Sequence, residues 1–202
     1  MPEPPGGRPT FEVTDPRALR GLAHPLRLAL IGLLRREGPL TATQAGQCLG
    51  ESAASCSFHL RQLAKYGLVA EAGGSTGRRR PWRATARSTS WPSVSADPQQ
   101  AAAATQLSTV LADRYRAATV AYLDRRQSEP EEWQQAALFG DAILYLTAAE
   151  LAALGEHLEA LIGRYAERTH DPRLRPEGAR HVTFLQVAFP EAPPAGVPKR
   201  PA

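Results

Sequence analysis

The residues best placed to do chemistry lie between Leu40 and Val69, in LTATQAGQCLGESAASCSFHLRQLAKYGLV. From Ser52 on, Cys56, Leu60, Leu63 and Ala64 recur in steps of four, three and one, then Leu68 and Val69 follow, which marks the buried side of a helix. The opposite side carries Ser55, Ser57, His59, Arg61, Gln62 and Lys65, with no Asp or Glu after Glu51. Solvent-exposed helices ordinarily mix both signs of charge, so a face of donors and cations alone suits a polyanion. Ser52, Ala53, Ser55, Ser57 and Phe58 sit nearest the helix start, where base edges are met. Small hydroxyls approach closely there, and a phenyl ring can meet a thymine methyl. His59, Arg61, Gln62 and Lys65 are placed for phosphates or flanking bases. Thr41, Thr43 and Gln44 add a helix start that can meet a phosphate, and Arg78, Arg79, Arg80 and Arg83 form a second cationic cluster.

Positioning these side chains requires two short helices and a hairpin. Thr41 or Thr43 can cap a helix from Thr43 to about Leu49, Gly50 supplies a turn, and Ser52 caps the second helix. Leu68 to Glu71 reads as a strand, Gly73 to Gly77 as a loop, and Arg78 to Thr85 as a returning strand. Helix, turn, helix and a glycine-tipped basic hairpin make a winged helix-turn-helix. In that layout the second helix enters the major groove and the hairpin follows the backbone or minor groove. LAHPLRLALIGLL (Leu22 to Leu34), SAASCSFHLRQLAKYGLV (Ser52 to Val69) and GRRRPWR (Gly77 to Arg83) resemble the ArsR-type winged helix regulators, over residues 12–90. The resemblance implies a homodimer formed through a flanking helix, a palindromic DNA site and, by default, repression.

Ahead of this unit, residues 1–11 are read as a disordered Pro- and Gly-rich tail. Asp15 and Pro16 open a first helix, and His24-Pro25 opens a second whose stripe is Leu26, Leu30, Leu33 and Leu34. His24 is read as a helix-start residue rather than a ligand. Residues 91–190 are expected to form a dimerisation and effector-binding region of α+β character. It begins with a connector from Ser88 to Pro98 and a long helix from Gln99 to Arg126, about 40 Å at 1.5 Å per residue. Leu107, Val110, Leu111, Tyr115, Ala118 and Tyr122 give that helix its face for a second copy. A short helix follows from Glu129 to Ala137, then a strand from Phe139 to Leu146. Thr147-x-x-Glu150 is a capping box opening a helix to about Arg168, with Leu151, Leu154, Leu158, Leu161, Ile162 and Tyr165 turned inward. His181 to Phe189 reads as a last strand, and residues 191–202 as a disordered tail. The fold class is therefore mostly α with small β.

Charge divides the chain the same way. Residues 1–90 hold 13 Arg and Lys against 6 Asp and Glu, a net +7, whereas residues 91–202 hold 11 against 14, a net −3. The basic excess coincides with the reading unit. No run of apolar residues is long enough to span a membrane, and MPEPPGGRPTFEV lacks the basic-then-apolar pattern of a signal peptide, so a cytoplasmic location is expected.

Metal sensing finds little support. Cys48 stands alone on the first motif helix, Cys56 falls on a buried face, and Gln99 to Arg126 contains no histidine. Glu150, Glu156, His157 and Glu159 read as a solvated helix face. No nucleophile elbow or phosphate-binding glycine loop is present, so neither catalysis nor a cofactor is expected. The expectation is a DNA-binding transcriptional regulator, with DNA, a second copy and a small-molecule effector as partners. The rival reading is a winged-helix protein-interaction module without specific DNA reading.

Overall fold

The computed structural model describes residues 10–73, 80–86, 88–92, 94–169 and 171–191. Their order is β1 (Thr10–Glu12), α1 (Pro16–Leu22), α2 (Pro25–Glu37), α3 (Ala42–Leu49), α4 (Ala53–Lys65), β2 (Val69–Glu71), β3 (Trp82–Ala84), β4 (Ser88–Ser90), α5 (Pro98–Arg125), α6 (Glu131–Ala136) and α7 (Ala148–Gly163). Among the described residues the protein is mostly helical, with two small two-stranded sheets.

Local chemistry explains where the helices begin. Asp15 accepts the Arg17 N–H at 2.8 Å with Pro16 behind it, and His24 accepts the Leu26 N–H through Nδ1 at 3.2 Å. Thr41, not Thr43, caps α3: its hydroxyl accepts the Gln44 N–H while the Gln44 Oε1 accepts the Thr41 N–H at 2.9 Å. Gly50 ends α3 in the left-handed region at φ 68°, and Ser52 accepts the Ser55 N–H to start α4.

The core gathers Leu19 and Leu22 of α1, Leu30, Leu33 and Leu34 of α2, Cys56, Leu60 and Leu63 of α4, and Leu107 of α5. Burial of each such leucine is worth about 1.5–3 kcal/mol, and this cluster fixes how the helices cross. The wing is tied to it. β2 and β3 pair antiparallel with Glu71 opposite Trp82, and Trp82 also exchanges both backbone hydrogen bonds with Leu40, just ahead of α3. The Arg35 guanidinium, largely buried, donates to the Ala86 carbonyl at 3.0 Å and to Thr89 Oγ1 at 2.7 Å, and burial brings its pKa down to about 10.

Several expectations need correction. Two residues of the stretch read as an N-terminal tail, Thr10 and Phe11, belong to the fold: β1 pairs parallel with β4, Thr10 facing Ser88, and Phe11 packs on the core. The stretch read as a connector supplies β4. Leu107, assigned to a second copy, is buried in its own chain where α5 crosses α1. No strand forms at 139–146 or 181–189; both run as exposed coil, because neither finds an edge to pair with among the described residues. α7 ends at Gly163 rather than near Arg168, followed by a 3-10 turn over Ala166–Thr169. It has no inward face: Leu151 and Leu158 are half-buried, while Leu154, Leu161, Ile162 and Tyr165 are exposed.

Candidate nucleic-acid interface

The turn between α3 and α4 is set by a close approach. A Cβ on Gly46 would lie 2.5 Å from the Glu51 carbonyl oxygen, so only glycine lets the chain fold back this tightly. The Glu51 N–H donates to the Gly46 carbonyl at 2.9 Å and closes the turn. Buried Cys56, Leu60 and Leu63 then fix the rotation of α4 about its axis.

Opposite them, Ala54, Phe58, Arg61 and Lys65 follow in steps of four, three and four and are all exposed. Phe58 is the outstanding member, 49% exposed, with its ring edge-on to His59. Ser52 and Ala53 are exposed at the helix start, and Ser57 and Gln62 are half-buried on the flanks. Among the described residues, Arg61, Lys65 and Arg83 take part in no ion pair, so their charges are open to an external anion. Ala54 was missed by reading polarity alone; the four-three-four spacing around Phe58 would have found it.

Other expected contacts are differently engaged. His59 turns off the outer face: its Nδ1 accepts from Arg27 Nε at 3.3 Å and its ring stacks, tilted, on His24 with centroids 4.4 Å apart. Ser55 faces the same shallow groove, beside His24 and Glu51. Gln44 spends its carbonyl oxygen on the Thr41 cap but keeps its amide N–H groups, and Thr43 is exposed beside it. Arg80 is already paired, donating to Glu71 Oε2 at 2.8 Å across the hairpin, which raises its pKa. Arg83 projects from β3, while Arg78 and Arg79 lie outside the described residues.

Residues 22–72 match a family of helix-turn-helix domains. The match begins at the last residue of α1 and ends just past β2, so it covers the three helices that build the reading face and the first wing strand. No curated protein matches the chain. The matched domain supports a DNA-binding regulator. No described helix is long and apolar enough to cross a membrane, and among the described residues no three His, Cys, Asp or Glu side chains converge as metal ligands.

Proposed function

We propose that the chain is an ArsR-type transcriptional regulator that reads a palindromic operator as a homodimer and answers to a small molecule rather than a metal. The observation that carries the reading is the outer stripe of α4, an acid-free row of Ala54, Phe58, Arg61 and Lys65, together with the exposed Arg83 of β3. A helix of this composition docks its first turns on base edges while Arg61, Lys65 and Arg83 hold phosphates.

Homodimerisation is supported by what α5 leaves open. Leu111 packs on the core and Val110 is half-buried, but farther along Ala118, Val120 and Leu123 are exposed. The Tyr122 hydroxyl is buried without a hydrogen-bond partner among the described residues. Two reading helices related by a twofold axis would meet half-sites about 34–36 Å apart, and an effector acting on α5 would alter that spacing. Under this reading the domains are residues 12–90 for DNA and 91–190 for assembly and sensing, and the setting is cytoplasmic.

The test is recovery of genomic DNA fragments by the purified protein at several salt concentrations. If each subunit neutralises about four phosphates, log affinity falls with log salt at a slope near −7. A slope flatter than about −2, or no enriched palindrome, sinks the proposal. The exposed Phe58 ring also fits a protein-interaction surface. That reading predicts that Arg61→Ala with Lys65→Ala leaves DNA retention unchanged while Phe58→Ala abolishes capture of a protein partner.

A further inference from the structure

We propose that His24, Arg27 and His59 form a proton-sensitive joint that holds the reading helix against α2 and opens when either ring is protonated. Each ring has a defined task at Nδ1. His24 Nδ1 accepts the Leu26 N–H at 3.2 Å, closing the first turn of α2, and His59 Nδ1 accepts from Arg27 Nε at 3.3 Å. Both imidazoles are therefore neutral and carry their hydrogen on Nε2. Arg27 reaches across with its other donor to the Gly21 carbonyl, so one guanidinium links the end of α1, the start of α2 and the middle of α4.

A further proton on either ring has only Nδ1 to occupy. There it turns an acceptor into a donor facing another donor, the Leu26 N–H in one case and the Arg27 Nε–H in the other. It also sets a new positive charge beside Arg27 and the second ring, 4.4 Å away. Glu51, in the turn between α3 and α4, is the carboxylate facing the pair and favours the charged rings. α1 offers only the Gly21 carbonyl, and Ser55 on α4 is uncharged. Burial first and then Arg27 lower the His24 pKa; burial, His24 and Arg27 lower that of His59.

The sign follows from proton binding. Rings whose pKa is lowered on folding take up fewer protons folded than unfolded. The stability they contribute is complete above about pH 6.5 and is lost as pH falls toward the lowered values. Since His59 lies between Phe58 and Arg61, the loss acts on the helix that reads DNA, and that part of the inference rests on the function proposed above.

The experiment uses the full chain. Imidazole nitrogen NMR at pH 8 should show both rings as Nε2–H tautomers. Between pH 8 and 5.5 the thermal midpoint should fall about 2–4 °C further than in His24→Asn/His59→Gln. Asn keeps the helix cap and Gln keeps an acceptor for Arg27, and neither titrates. On recovered fragments, preference over scrambled DNA should drop about three- to tenfold from pH 7.5 to 5.5 in the wild type only. Nδ1–H tautomers, or an equal fall in the double variant, would overturn the joint. Should the double variant not fold, the tautomers and the two single variants decide. Absence of DNA binding at every pH, with the midpoint responding as stated, would sink the proposed function and leave the joint standing.

Discussion

The parts of the chain before and after the middle of α5 are built from equally good local signals and end differently. Thr41 with Gln44 and Thr147 with Glu150 are the same capping box, each complete. α3 nevertheless sits in a closed structure, whereas α7 contributes no buried residue. Among the described residues, every fully buried apolar residue lies at or before Leu107, and sixteen of the twenty exposed large apolar residues lie between Leu138 and Phe189. Caps and periodicity make helices; an opposing surface makes a core. α4 finds one in α2 and α1, and α7 finds none within the described chain.

The sharpest way to break this contrast is a matched pair of truncations. Leu60→Ala, in the fully buried stripe of α4, should cost about 2–5 kcal/mol in chemical denaturation. Leu161→Ala, half exposed on α7, should stay within about 0.5 kcal/mol at low protein concentration. A loss at Leu161 that grows with concentration would mean that a second copy covers this face, and the two regions would then differ only in where their partner comes from. Gly46→Ala comes next. Its Cβ collides with backbone rather than with a yielding side chain, so a loss of about 1–3 kcal/mol is expected, with weaker DNA retention. The smallest effect compares the caps. Thr41→Ala should lower global stability by about 1 kcal/mol, and Thr147→Ala should leave the main unfolding transition in place while speeding amide exchange in α7. Equal effects on the main transition would show that α7 unfolds with the core.

The sequence makes legible what neighbours in the chain decide. Asp15-Pro16, His24-Pro25, Gly50 and Ser52 each act within four residues and are found in their expected places, and of the two threonines offered as a cap Thr41 is used, starting the helix at Ala42 rather than Thr43. The buried stripe of α4 is legible for the same reason. Distance in sequence hides the rest. The pairing of Thr10 with Ser88 joins residues 78 apart, and nothing in Thr-Phe-Glu or Ser-Thr-Ser points to the other. An apolar stripe cannot say whose surface it meets, which is why Leu107 went to the chain's own core. The segments 139–146 and 181–189 have strand composition, but a strand needs an edge, and composition cannot provide one. His59 shows the same limit at the interface: its helical position allows an outward contact, while Arg27, 32 residues earlier, decides otherwise.

The parallel pairing of β1 with β4 has a mechanical side. In this parallel ladder Glu12, which leads toward α1, and Ser90, which leads toward α5, lie at the same end. A pull on α5 therefore reaches the ladder at the end where α1 holds β1, and the Val13 N–H bonded to the Ser90 carbonyl at 2.9 Å is the first pairing to carry it. Arg35, bonded to Ala86 and Thr89, braces the same strand pair against α2. The root of α5 is thus a stiff mounting. A load applied far along the rod is met at its base by the Arg35 brace and by the packing of α5 on α1, not by the short ladder alone.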